Sequence, residues 1–517
     1  GLLLGLLLWC AAPRSAKADY PPAPPPGGAT FGGLGNLNYE AGSRLDYVSA
    51  NGTVFAGMED YIGADGSGSQ RAFVWSAAGG LIPLMLPGGH SSSSSGISAD
   101  GSTVIGSSQV LINGNYPTRA FVWTAGEGLL DLGTLPGGSD SFAQGVSAHG
   151  STVIGSSYGL FNGIYTWHSF VWTATNGIQD LTLPGGTSSY AVGVSANGST
   201  VAVNSQVLVD GIYQWHATVW MAGGGLVDLG TLPGGGNTYA QAVSADGSTV
   251  VGYSTVLVNG SYYNHAFVWT VASGMQDLGV LPDGTGSYPQ GISADGSTVI
   301  GYSVNGSYQH AFVWTAAGGM QDLILPGGNY SYAQGVSADG STVVGYSTVL
   351  VNGSYYNHAF VWTAASGMQD LTLPGGNSSY AQGVSADGST VIGYSQVLVD
   401  GKYKQHSFVW TTAAGLKDFG TSGVSVPPNP VQTTDSGNVA VGQVALGFNA
   451  LGVYLQYAVM WRAAGEQPTK LLLPDGDQSY LAAVTSDGSA AVGAGNTLVN
   501  GSDQWHAFVW TVASGMQ

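Results

Sequence analysis

The sequence predicts an all-β protein, a β-propeller built from about ten four-stranded repeats, and three observations predict it. An aromatic hexapeptide of the form x-A-F-V-W-T returns with Trp75, Trp123, Trp172, Trp220, Trp269, Trp314, Trp362, Trp410, Trp461 and Trp510, at intervals of 45 to 51 residues. Within these units Asp-Gly and Asn-Gly sit between β-branched runs, which is the strongest short-range signal for a hairpin. No segment longer than a turn carries a 3.6-residue apolar period, and the Pro and Gly spacing would interrupt one. A four-stranded meander of about 45 residues is the size of a propeller blade, whereas solenoid coils usually take about 20–30.

The elements follow in chain order. Residues 1–18, GLLLGLLLWCAAPRSAKA, hold an apolar run from Leu2 to Ala12 and small residues at Ala16 and Ala18. That run is too short to span a bilayer and suits a secretory signal, read as truncated at its N-terminus because no initiator Met or basic segment precedes it. Residues 19–28 include PPAPPPGG and read as a stiff, solvated spacer. The repeat array occupies residues 29–517, with the last repeat incomplete.

One unit, Ala333 to Gly376, shows the parts. A first strand (Ala333 to Ala338) meets Asp339-Gly340, and a second (Ser341 to Val351) meets Asn352-Gly353. Both turns read as type I′, which needs positive φ at two residues. The third strand runs from Ser354 to Thr363 and the fourth from Met368 to Leu373, closed by Pro374-Gly375-Gly376. His, Phe and Trp of the strand HAFVW fall on one face and Ala and Val on the other, so both faces carry apolar groups, as stacked blades require. The array is expected as a single large ring or as two smaller propellers. Gly420 to Pro430 is the most divergent stretch and reads as an irregular loop. Thr30 to Leu37 resembles the fourth strand of a unit and is positioned to complete the last blade.

Composition narrows the class of partner. Only 8% of the residues are charged while 44% are hydrophobic, which argues against disorder, and the 84 glycines fit many tight turns. The formal charge is −19, with no basic cluster larger than Lys402, Lys404 and Lys417. Such a surface repels nucleic acid and anionic lipid, and no membrane insertion is expected in this chain. Cleavage after Ala18 would remove Cys10, the single cysteine, so disulfides, thiol catalysis and cysteine-based metal sites are excluded from the mature protein.

The candidate chemistry is repeated rather than unique. His168, His216, His265, His310, His358, His406 and His506 start the aromatic strand in seven units, and Arg71, Arg119 and Tyr457 take that slot elsewhere. A metal site would not accept Arg for a ligand, but a hydrogen-bond donor role would. An Asp follows twelve residues later in seven units, including Asp180, Asp228, Asp277, Asp322, Asp370 and Asp418, and a diagonal pair across the hairpin is feasible. Such a pair reads as a staple of the blade. No nucleophile elbow, zinc-protease helix or phosphate-binding loop occurs, so no catalytic residue, metal ligand or cofactor is assigned. Trp167, Trp215, Tyr262, Tyr263, Tyr355, Tyr356 and Trp505 lie near hairpin tips as candidate ligand-binding aromatics, with cross-strand packing as the alternative.

Three linked motifs, HAFVWT, GMQDL-(G)-x-LPGG and VSADGSTVVGYS, recur in one order and resemble the bacterial extracellular HAF-repeat family over nearly all of the chain after the spacer. The resemblance implies an exported, cell-surface or secreted protein. Some members carry a C-terminal autotransporter barrel; this one is expected either to be freely secreted or to be truncated before its barrel, and an end in mid-unit favours truncation. The functional expectation is a binding or adhesion module for a carbohydrate or surface protein, without intrinsic catalysis. The alternatives are an extracellular polysaccharide-acting hydrolase or lyase on the same scaffold, and a structural surface-array protein.

Overall fold

The computed structural model describes residues 43–516 apart from 51, 63–67, 77–78, 307, 419–428, 435–438, 449–453, 463–468, 473–477, 486, 500–501 and 512–514. The signal, the spacer and the proposed closing strand Thr30 to Leu37 lie outside the described residues. Forty strands form ten four-stranded sheets, each made of four consecutive antiparallel strands. No helix occurs among the described residues, and so none is long and apolar enough to cross a membrane.

The seventh blade shows how sequence makes each strand. Its strands are Ser331–Val336, Thr342–Val351, Ser354–Thr363 and Gly367–Asp370. Asn352 and Gly353 both have positive φ, 51° and 83°, and carry the type I′ turn that the sequence predicts. The first turn differs from that expectation: Gly340 has φ of 69°, while Asp339 is not in the left-handed region. Asp339 is there as an acceptor instead, taking hydrogen bonds from Ser337 Oγ, Ser341 N and Ser341 Oγ at 2.6, 3.0 and 2.9 Å. The side chain thus closes a wider loop in which Ser337 N donates to Thr342 O at 2.9 Å.

Every first strand carries an irregularity of register that the sequence pattern did not suggest. In the seventh blade it falls between Ala333 and Gly335, and the other nine blades have it at or beside the equivalent place. A bulge bends a strand and raises its twist, which suits the strand that lines the inside of the array.

The core is built between blades. Ala311, Val313, Leu323 and Leu325 of the sixth blade pack with Val343, Phe360 and Trp362 of the seventh. This is the two-faced burial expected of HAFVW: Phe and Trp of one blade enter the Ala/Val face of the blade before. The glycine of V-G-Y-S makes room for that phenylalanine, since a Cβ on Gly345 would overlap the Tyr332 carbonyl oxygen and lie 2.7 Å from the Phe360 ring. The first turns of neighbouring blades are also tied by their backbones, Ala294 N to Ala338 O at 2.9 Å and Ala338 N to Ala386 O at 2.8 Å.

Consecutive first strands touch throughout, and that of the first blade also touches that of the tenth. At this seam Gly52 lies against Thr485 and Ala490. The blades therefore follow one another as one array rather than dividing into two propellers. They remain ten separate sheets, because no sheet combines strands from the two ends of the chain. The tenth blade has its own short fourth strand, Gly515–Met516.

Candidate functional site

Polar and aromatic groups recur in three places along the blades: between the outer two strands, on the inner two strands, and at the tips of the second hairpins. The first is the His–Asp pair. Phe360 stands opposite Asp370 in the ladder, so His358, two residues earlier, meets that carboxylate diagonally, with Nδ1 2.7 Å from Oδ2. The same contact joins His168 to Asp180, His216 to Asp228, His265 to Asp277, His310 to Asp322 and His406 to Asp418, at 2.8 to 2.9 Å. In two of the units where another residue takes the histidine slot, that residue has a different partner. Arg71 donates to Glu59 through Nε at 2.8 Å, and Lys470 Nζ lies 4.8 Å from the centre of the Tyr457 ring.

Burial separates one pair from the rest. The imidazoles of His168, His216, His265, His358 and His406 are 5% to 14% exposed, while that of His310 is 29% exposed. Nε2 of His168, His216, His358 and His406 is buried without a partner, which is not so of His265 and His310. The difference goes with length. In the sixth blade the hairpin strands, Thr298–Val304 and Gln309–Thr315, have seven residues each, against ten in the seventh blade. In the third blade a residue of this arm, Phe161, stacks on His168 with ring centroids 3.9 Å apart, and the sixth blade lacks that length of arm.

Carboxylate electrostatics follow from these contacts. Burial pushes the Asp370 carboxyl up, but the His358 ring and the Thr372 N–H together hold it below the ordinary carboxylate value. Asp228 and Asp277 are lowered in the same way by His216 with Gly230 and by His265 with Gly279, against burial. The turn residues Asp246, Asp295 and Asp339 are lowered too, their burial outweighed by hydrogen bonds from the flanking serines. Among the described residues no group of three or more His, Cys, Asp or Glu comes together as a metal cage.

The second is a belt of half-exposed tyrosines. Tyr190, Trp215, Tyr239, Tyr253, Tyr288 and Tyr302 run ring to ring across the fourth, fifth and sixth blades with centroids 5.1 to 6.2 Å apart. Tyr332, Tyr346, Tyr380 and Tyr394 continue it through the seventh and eighth at 5.3 to 5.9 Å. Tyr239 with Tyr253, and Tyr288 with Tyr302, are directly opposed across the first and second strands. Burial and then the neighbouring Tyr239 push the Tyr190 phenol up to about 12, against the hydrogen bond with Asn204, which pulls it down. Tyr346 is also pushed up to about 12, by burial and then by the adjoining Tyr330. Asn264 Nδ2 donates to Tyr288 Oη at 3.0 Å, and Asn357 Nδ2 to Tyr380 Oη at 2.7 Å.

The third is the hairpin tips, where the sequence placed its candidate aromatics. Tyr262 and Tyr355 are exposed, and so is Trp167, which packs against Phe142 and Tyr158. Tyr263 and Tyr356 alternate to the other face and are half-buried. Trp215 belongs to the belt, between Tyr190 and Tyr239, rather than to the rim. Trp505 lies in the strand Ser502–Thr511, and its side chain is outside the described residues. The structure therefore keeps three of the seven at the rim. Sequence reasoning missed the belt, although its tyrosines recur in S-Y-A-Q and V-G-Y-S, and it missed the apolar partners of the tip tyrosines. Leu160, Leu208, Leu257, Leu350 and Leu398 face Tyr165, Tyr213, Tyr262, Tyr355 and Tyr403 across their hairpins.

No family model matches the chain, and no curated protein matches it. Solved structures of similar shape include the tricorn protease, at 9% identity over 90% of this chain and 49% of that one, with a TM-score of 0.30. Dipeptidyl peptidase 4 of Porphyromonas gingivalis matches at 10% identity over 88% of this chain and 64% of that one, with a TM-score of 0.43. The propeller domain of the Trilobed protease from Pyrococcus furiosus matches at 10% identity over 64% of this chain and 96% of that one, with a TM-score of 0.32. The chain spans about half the length of the tricorn protease. At these scores none of the three assigns an activity or a residue.

They do correct the expectation of a binding or adhesion module defined by lacking catalysis. The solved structures matched include peptidase chains, and none of these three is described as an adhesion module. The premise had been that verbatim repetition leaves no room for a unique centre. Repetition describes the scaffold, and one shortened hairpin suffices to single out one of its sites.

Proposed function

We propose that this chain hydrolyses a neutral polysaccharide outside the cell, with acid–base catalysis on the propeller scaffold. The observation that carries the reading is the His310–Asp322 pair, in which Nδ1 is 2.9 Å from Oδ2 and the ring, 29% exposed, is the most open of the six paired imidazoles. A carboxylate on Nδ1 fixes the ring and leaves Nε2 to exchange protons, the arrangement that general acid–base catalysis needs.

The belt supports the choice of polymer. Half-exposed phenol rings repeated from blade to blade offer ring faces to sugars and hydroxyls to their oxygens. Strong net acidity, −19, disfavours a polyanionic chain, which removes elimination beside a uronate carboxylate and leaves hydrolysis. Action outside the cell rests on the signal-like first eighteen residues. The test is incubation of purified protein with neutral glucans, xylans and mannans, reading new reducing ends. Turnover lost in His310→Ala and kept in His358→Ala is the expected result. Turnover on none of these polymers, or unaffected by His310→Ala, overturns the reading.

A further inference from the structure

The tips of the long hairpins leave a ring of apolar knobs on one end of the array, because the second hairpin of every blade ends on the same side. In five blades a Leu 47% to 55% exposed stands in register with a Tyr 51% to 68% exposed. These are side chains that a protein surface seldom displays in a repeated set. The geometry points to a second copy of this chain as what covers them, stacked rim to rim about a two-fold axis.

Three features select that partner. The first is spacing. The knobs are separate and stand at blade spacing on the third, fourth, fifth, seventh and eighth blades, so a surface that meets all of them needs the same repeat, and an inverted copy supplies it with like patches on both sides. The second is area. A tyrosine side chain carries roughly 150–250 Å², so five of them about half exposed leave about 500 Å² open. The leucines beside them add several hundred more, which reaches the roughly 800 Å² per partner of a stable interface. The third is charge. The five tips carry Asp210, Asp400, Lys402 and Lys404, two acids against two bases. The opposite end carries the turn acids Asp246, Asp295, Asp339 and Asp387, all held ionised by their serines. Rim-to-rim stacking therefore keeps the acidic ends apart, whereas any other stacking brings one or both into the contact.

The sixth blade falls short of the rim, since its hairpin strands are seven residues long. Pairing would thus leave an opening beside His310. The inference is independent of the proposed hydrolysis, because it concerns mass rather than turnover.

Light scattering on the eluting full-length chain, from about 1 to 100 µM, tests it. The expected result is twice the chain mass, undiminished by added salt because the contact is apolar. Combined substitution of Leu208, Leu257, Leu350 and Leu398 by Glu is expected to weaken association at least 100-fold. The same four positions changed to Met should leave the dimer in place, and an unchanged circular dichroism spectrum reports the fold of each variant. A wild-type monomer across the range, a dimer that survives the glutamates, or a species that grows beyond two copies overturns the inference.

Discussion

The sixth and seventh blades are built from nearly the same letters, VNGSYQHAFVWT against VNGSYYNHAFVWT, yet they present different chemistry. In both, the aromatic strand sends Phe and Trp into the preceding blade, and the histidine reaches an Asp across the third and fourth strands. In the seventh blade ten-residue arms cover the ring of His358, whose Nε2 is buried and unpartnered. In the sixth the arms stop three residues earlier and His310 is open. The histidine of the pair is buried under its arm in one blade and more open to solvent in the next. Coverage, rather than identity, sets the role.

The largest effects should be shared by both blades, since they belong to the scaffold. Phe312→Ala and Phe360→Ala each remove a ring with 0% exposure and leave a cavity between blades. Large-to-small core changes of this type cost about 3–5 kcal/mol. Matching falls in melting temperature are expected, and a clear difference between them would break the equivalence of the two scaffolds. Because stability in stacked repeats is partly local, hydrogen exchange in the mutated blade is the second readout.

Next in size is the divergence of the histidines. His358→Ala removes an imidazole 10% exposed and opens a void, while Asp370, 42% exposed, can turn to water, so the expected loss in denaturant unfolding is about 1–3 kcal/mol and comes from the void. His310→Ala sits at a more open site and should cost within about 1 kcal/mol, while removing polysaccharide turnover. Equal destabilisation by the two would mean that the shortened hairpin does not change the role of the pair.

Acid should act on the staples with a definite sign. The folded-state pKa values of Asp228, Asp277 and Asp370 are depressed below the ordinary carboxylate value of about 3.9, so the folded state binds fewer protons than the unfolded one in that region. Their contribution is complete above that value and is lost as pH falls through the folded-state values. Asp370→Asn should flatten this acid limb in a titration of melting temperature against pH, and an unchanged limb would show that His358 does not hold the carboxylate.

How much of this could be read from the letters depends on which interactions are local. The hairpins were legible because Asn352-Gly353 requires positive φ and HAFVWT alternates, and both are properties of adjacent residues. The diagonal His–Asp contact followed from the twelve-residue spacing alone. The bulge at Ala333/Gly335 was not legible, because an extra residue in a strand changes which face follows without changing composition. The exposure of His310 was hidden for a related reason. The short interval between Trp269 and Trp314 was visible, but what a missing arm uncovers depends on the neighbouring strands. The tyrosine belt joins residues of different blades, 35 and 34 positions apart, and only the packing of one sheet on the next brings Tyr253 to Tyr288 or Tyr346 to Tyr380.

That belt gives the smallest expected effect and extends the comparison to the alkaline side. Tyr302 of the sixth blade and Tyr346 of the seventh both stand opposite another tyrosine across the first two strands. Burial raises both phenols, and the neighbouring rings add to it, Tyr288 for Tyr302 and Tyr330 for Tyr346. A raised folded-state value means that the folded protein keeps protons that the unfolded chain releases. Stability is therefore full below the unfolded value of about 10 and declines as pH climbs from there, for Tyr346 toward about 12. Tyrosinate absorbance should show a late-titrating fraction beyond the ordinary phenol range. Tyr346→Phe should shrink that fraction and make the alkaline loss of stability shallower, with little change near neutrality. Tyr302→Phe should do the same in the sixth blade, because the shortened hairpin uncovers the histidine face of that blade and not the tyrosine face. If Tyr302 instead titrates with the exposed tip tyrosines, the missing arm has opened both faces, and the difference between the blades is wider than the histidine alone reveals.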